Sequence, residues 1–128
     1  MTAFEDEDRA AVRDMARQLV ATAFPSARAR GVADQGGAPD ADLDRELAGA
    51  GLLGLEIAEE YGGGGGSFME LAIVLQALGE HVGASTVLSS AVLCSGALSL
   101  AGTETQRERW LPLLADGTVS GTAALGEW

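Results

Sequence analysis

Residues 59–80 read EEYGGGGGSFMELAIVLQALGE: a pair of carboxylates, a tyrosine, five consecutive glycines and then an apolar run. The fold turns on whether the glycines cradle a phosphate between strand and helix or only turn the chain. A phosphate loop needs a preceding strand and a terminal Gly-Lys-Ser/Thr, whereas Ser67 follows Gly66 directly and the chain has no lysine. A dinucleotide fold needs its glycines between strand and helix, but helical patterns stand on both sides of this run. The alternative is a flexible turn into a helix over 68–81. Ser67 and Glu70 form a Ser-x-x-Glu capping box at its start. Leu71, Val74, Leu75, Leu78 and Val82 recur at core spacing.

Working outward, Thr2 with Glu5 and Thr103 with Gln106 repeat that capping pattern. After the first, Val12, Met15, Leu19 and Ala23 share one face and Arg9, Arg13 and Arg17 another, predicting a solvent-facing amphipathic helix ended or kinked by Pro25. GVADQGGAPD, residues 31–40, is expected to be a surface loop. A short helix follows from about Asp40, with acids in its first turn, Leu43 and Leu47 inward and Gly51 after its end. Residues 52–66 are irregular chain anchored by Leu53, Leu55 and Ile57. A fourth helix, 86–101, has small or apolar residues on nearly every face and should be the most enclosed. The fifth starts at Thr103, turns Trp110, Leu111 and Leu114 to the core and carries Pro112, which suggests a kink. The expected fold is all-α, a five-helix orthogonal or up-down bundle over residues 1–117.

After Gly117 the period changes, and TVSGTAALGEW suggests a strand beginning. A strand needs partners along its edges and none remain. The expectation is that residues 118–128 open a further β-domain, or that the chain docks on another.

Bulk composition removes several function classes. A net charge of −11 arises from 19 acidic residues against eight arginines. Without lysine there is no Schiff-base chemistry, and without a basic stripe there is little to hold nucleic acid. One cysteine, Cys94, makes no internal disulfide, and the acidic opening MTAFEDEDRAAVRD is unlike a signal peptide, which points to the cytoplasm. Residues 84–102 approach membrane length, but six Ser and Thr residues break them up, so no membrane span is expected.

The rival sites are weak. Asp40, Asp42 and Asp44 look like the start of a calcium loop, yet Arg45 stands where its glycine belongs and Gly51 where its glutamate belongs. His81 and Cys94, each the single residue of its type, do not build a zinc site. No Gly-x-Ser-x-Gly elbow exists for a serine nucleophile. No metal site and no catalytic residue is assigned.

Two stretches, ELAGAGLLGLEIAEEYGGGGGSFMELAIVLQALGE (46–80) and AGTETQRERWLPLLADGTVSGTAALGE (101–127), resemble the amino-terminal helical domain of the flavin-dependent acyl-CoA dehydrogenases. They match in order and spacing: a leucine-rich turn, an Ala-Glu-Glu-Tyr-Gly-Gly loop, a Leu-Gly helix end, a Gly-Thr-Glu-x-Gln cap and a Leu-Pro-x-Leu-Ala-x-Gly exit. The resemblance covers nearly the whole chain. It implies a subunit of three domains: this one, a middle β-domain and a carboxy-terminal helical bundle. The family is expected to desaturate an acyl-CoA thioester in fatty-acid β-oxidation. A base takes the α-proton, FAD takes the β-hydride, and electrons pass to an acceptor flavoprotein. The catalytic glutamate belongs to the carboxy-terminal part, so this segment alone should be inactive.

By the same resemblance, Ser85, Ser89, Val92 and Leu93 border the acyl groove, and plain packing explains the same four equally well. Residues 123–127 match a strand whose backbone and threonine touch the flavin, making Ala123, Leu125 and Gly126 the cofactor-binding candidates. Gly126 replaces that threonine, so its hydroxyl contact is lost while a backbone amide remains, and Trp128 replaces a proline. An acyl-CoA substrate and an oligomer, homomeric or heteromeric, are implied. The alternative is a non-catalytic helical subunit that completes a partner's site, and a ligand-free bundle is a third.

Overall fold

The computed structural model describes residues 5–126. Six α-helices follow one another: α1 Asp6–Ala23, α2 Ser26–Asp34, α3 Ala41–Gly49, α4 Phe68–Glu80, α5 Ser95–Ala101 and α6 Glu104–Ala115. A π-helix, Val87–Cys94, runs directly into α5, and short 3₁₀ turns occupy Leu52–Gly54 and Glu59–Tyr61. The all-α reading holds. The strand expected after Gly117 is not formed among the described residues, where 120–126 carry no regular structure. The ladder that would fix a strand has no second edge here.

α1 and α4 pack most extensively, and α3 lies against α1. The buried row on α1 is Val12, Ala16 and Val20, continued by Phe24, rather than the expected Val12, Met15, Leu19 and Ala23. Strict four-residue steps follow the ridge of the helix; Met15 is exposed, and Leu19 and Ala23 pack at the flank. The arginines of α1 are not all left to solvent. Arg9 bonds Glu70 at 2.7 Å, and Arg17 makes two bonds to Glu80 at 2.8 and 3.1 Å, so two rungs tie α1 to α4.

Two expected capping boxes form. Ser67 N–H donates to Glu70 Oε2 at 2.7 Å, and Thr103 N–H donates to Gln106 Oε1 at 2.9 Å. At α1 the box is one turn later than expected, with Glu5 and Asp8 as its members; Thr2 lies outside the described residues. α2 corrects the loop reading of 31–40, since the helix extends to Asp34. Its composition, SARARGVAD, is rich in strong helix formers, but it buries no residue completely and so gives no apolar stripe to read. Pro25 ends α1 and also starts α2, its carbonyl accepting from Arg28 and Ala29 N–H.

Two apolar clusters form the interior. The larger joins α1, α3, α4 and the π-helix through Phe24, Leu43, Leu47, Leu71 and Val74; the smaller joins Ile57 to Leu111, Leu114 and Ala115 of α6. α6 continues through Pro112 to Ala115. Trp110, expected inside, sits at the surface with the Arg109 guanidinium 4.7 Å from its ring centre. The fourth helix is also less enclosed than expected. Its π-helical half buries Val87, Ser90 and Ala91, while its α5 half edges the bundle with Leu100 91% exposed.

Val82, expected in the core, is instead 77% exposed and holds a left-handed φ of +52°. It follows the end of α4, where Gly83 N–H bonds back to Leu78 O at 2.8 Å. That motif normally places glycine where Val82 stands, because a β-branched side chain is strained there. Val82→Gly should therefore raise stability by about 1 kcal/mol. Urea denaturation at unchanged m-value checks this, and a lower midpoint would contradict it.

Candidate functional site

The glycine run is a closed turn with its amides directed inward. Gly62 N–H bonds Glu59 O, Gly63 bonds Ala58 O, Gly64 bonds Gly54 O, Gly65 bonds Ile57 O and Gly66 bonds Leu55 O, all at 2.8–3.2 Å. A phosphate cradle needs free N–H groups pointing at the ligand, and these five are occupied. The turn is pinned on its other side by Tyr61, whose hydroxyl donates to Glu104 of α6 at 2.6 Å. That bond pushes the Tyr61 pKa up to about 12. The expected flexible turn is thus a hydrogen-bonded one, with left-handed φ at Gly62 and Gly65.

The aspartates read as a calcium-like run serve as caps. Asp40 accepts from Asp42 and Leu43 N–H and takes a two-bonded contact from Arg28, which holds its carboxyl below the usual range. Asp44 accepts from Thr86 N–H at 3.1 Å, fixing the start of the π-helix on α3. Among the described residues, no group of three or more His, Cys, Asp or Glu is placed to hold a metal. No helix among them is long and apolar enough to cross a membrane.

An apolar groove of about 620 Å³ lies between α5, α6 and residues 119–123. Leu98, Ala101, Trp110, Leu114 and Val119 line it, with Cys94 at its base. Among the described residues its lining includes no carboxylate and no histidine. It offers an apolar surface but no acid or base for proton transfer. The segment 119–123 is held in place by Val119 N–H to Leu113 O and Gly121 N–H to Ser90 Oγ, both 3.1 Å.

The sequence-derived candidates divide between two places. Ala123 lines the groove, whereas Leu125 projects into solvent and Gly126 stands in open space. Trp128 lies outside the described residues. Ser85 and Ser89 are half-buried at the start of the π-helix. Ser85 Oγ accepts from Val87 N–H, and Ser89 Oγ donates to Thr86 O. Leu93 is half-buried four residues after Ser89, and Val92 packs against the larger core. None of these four lines the groove beside α5. The wider π-helical turn shifts the α-helical register that would put most of the four on one side. Ser90, which sequence reasoning passed over, is the residue that joins the π-helix to 119–123. A serine in an apolar helix was the available signal.

The residues from 6 to 118 match the family description "Acyl-CoA dehydrogenase, N-terminal domain". The acyl-CoA dehydrogenase FadE12 of Mycobacterium tuberculosis (strain ATCC 25618 / H37Rv) is 33% identical over 87 residues, which is 67% of this chain and 22% of that relative. Among solved structures, a variant of the Tcur3481-Tcur3483 steroid ACAD superposes with a TM-score of 0.86 at 34% identity, over 95% of this chain and 33% of that one. The ChsE4-ChsE5 complex from Mycobacterium tuberculosis superposes with a TM-score of 0.84 at 26% identity, over 100% of this chain and 36% of that one. The chain thus spans between about a fifth and about a third of the proteins it matches. The family match spans residues 6–118, and the chain belongs to the acyl-CoA dehydrogenase family, corresponding to its N-terminal domain.

Proposed function

We propose that the protein carrying this chain is a flavin-dependent dehydrogenase that desaturates an acyl-CoA thioester in fatty-acid oxidation in the cytoplasm, and that these residues form one helical wall of its acyl groove. The supporting observation is the family match over residues 6–118. Residues 1–117 are the helical domain and 118–128 lead into a β-domain. In this reading Ser85, Ser89 and Leu93 border the acyl chain, and Val92 backs them from the core. FAD, when bound, supplies the hydride acceptor. Ala123, Leu125 and Gly126 fit its edge, because Gly126 has open space where a side chain would stand and Leu125 is uncovered. The proton acceptor comes from outside residues 5–126. Electrons leave to an acceptor flavoprotein, and the working unit is an oligomer.

The test is to purify the protein carrying this chain together with its co-expressed partners and add a panel of acyl-CoA thioesters. The expected result is a visible flavin absorption that bleaches with at least one thioester. A colourless preparation unaffected by any of them would contradict the reading. Ser89→Phe should narrow the groove and raise KM for that thioester about tenfold with little change in thermal midpoint. An unchanged KM would remove Ser89 from the groove.

A second reading has one observation in its favour. Gly126 stands where the family carries a threonine that touches the flavin, and its surroundings are open. On that reading the chain belongs to a non-catalytic subunit that completes a partner's site. After the subunits are separated, flavin would then stay with the partner.

A further inference from the structure

Ser90 of the π-helix and Ser95 at the start of α5 are buried, 5% and 3% exposed, unlike the half-buried or exposed serines around them. Ser95 N–H bonds Ser90 O, the five-residue step of a π-helix, and Ser95 Oγ donates to the same carbonyl at 3.0 Å. Ser90 Oγ in turn accepts from Gly121 N–H at 3.1 Å. The carbonyl and the hydroxyl of one buried serine thus join the π-helix to the chain that leaves the bundle. Gly121 fits only because it lacks a side chain, since a Cβ there would stand 2.5 Å from Cys94 Sγ.

That chain is a partition. Val119 and Ser120 line the apolar groove on one side and, on the other, a second cavity of about 290 Å³ that includes Asp44, Arg45 and Ser90. Beyond it the segment reaches Ala123, Leu125 and Gly126. We propose that Ser90 is a positioning residue: its hydroxyl clasps Gly121 and so sets where Val119 and Ser120 lie between the two cavities, how residues 121–126 run on from them and, resting on the function proposed above, where they meet the flavin. A buried hydroxyl whose partner is a backbone amide 31 residues away fixes position at the cost of leaving that amide unpaired if it is lost.

The experiment uses the full protein and follows amide exchange by mass spectrometry with Ser90→Ala and Ser90→Thr. Ser90→Ala should speed exchange within 119–126 about tenfold while leaving α4 unchanged. Ser90→Thr, which keeps the oxygen, should restore the parental rate. If Ser90→Ala does not fold, Gly121→Ala loosens the same segment from the Cys94 side and is read in the same way. Parental exchange in the loosening variant would overturn the proposal, and so would acceleration spread equally over α4. FAD affinity should fall about tenfold in Ser90→Ala and recover in Ser90→Thr; unchanged affinity with a loosened segment would overturn the link to the flavin. A parental protein that holds no FAD would instead defeat the function reading, while the exchange rates still decide the role of Ser90.

Discussion

Replacing Gly63 by alanine should destabilise the domain by about 3 kcal/mol or more, the largest effect of any single methyl added to this chain. An ideal Cβ at Gly63 collides with the carbonyl oxygen, carbonyl carbon and Cβ of Ile57. Two of these atoms are backbone, so relief requires moving the chain that also accepts Gly65 N–H. Ile57 belongs to the smaller apolar cluster with Leu111 and Leu114, and the strain should spread to α6. Neighbouring glycines give an internal control. Gly62 is in open space with a left-handed φ of +81°, so alanine there meets backbone strain alone and should cost about 1 to 2 kcal/mol. Chemical denaturation of both variants tests the ordering. Equal midpoints for Gly63→Ala and the parent would mean that the turn is loose.

Glu70→Gln should cost about 2 to 3 kcal/mol and also remove a pH dependence. The Glu70 side chain is 1% exposed. Burial alone would push its pKa up, but hydrogen bonds from Ser67 and Arg9 outweigh it and hold the value down at about 2. Relative to the ordinary 4.5, that depression corresponds to about 3 kcal/mol at about 1.4 kcal/mol per tenfold change in proton affinity. The folded value lies below the unfolded one, so the contribution is complete above about pH 5 and is lost as the pH falls toward 2. In Glu70→Gln the capping geometry survives but the charge is absent, so this acid-sensitive part of the stability curve should flatten. Thermal midpoints between pH 3 and pH 7 read both effects. An unchanged slope would mean that another carboxylate governs the acid limb.

These two positions also mark what the sequence made legible. The Ser67–Glu70 and Thr103–Gln106 boxes were readable because a capping box is local, with donor and acceptor three residues apart. That the glycine run departs from a phosphate loop was readable from the missing lysine. That all five glycine amides are occupied was not, because their acceptors lie up to eleven residues back in a segment of short 3₁₀ turns and irregular chain with no periodicity to read. Arg9 looked like a solvent-facing charge, since its partner Glu70 is 61 residues away. The direction of a border residue such as Trp110 is set by which helices it meets, and hydropathy carries no information about that.

The candidate site was legible only through family resemblance. The resemblance supplied Ser85, Ser89, Val92 and Leu93, most of which share one side at α-helical spacing, and the π-helix alters that register. No residue pattern announces a π-helix. Its mark here is the five-residue backbone bond from Ser95 N–H to Ser90 O, reinforced by the Ser95 hydroxyl on the same carbonyl. Ala123, expected at the flavin, lines the groove beside α5, while Leu125 and Gly126 stand uncovered beyond it.

Photolabelling tests most directly whether this domain is a wall of an acyl site. The full protein would be irradiated with an acyl-CoA carrying a photoreactive group at the end of its acyl chain, with an excess of plain thioester as competitor, and then mapped by peptide sequencing. The account predicts competable adducts on residues 85–93. Adducts absent from that stretch and confined to α1, α2 and α3 would contradict it.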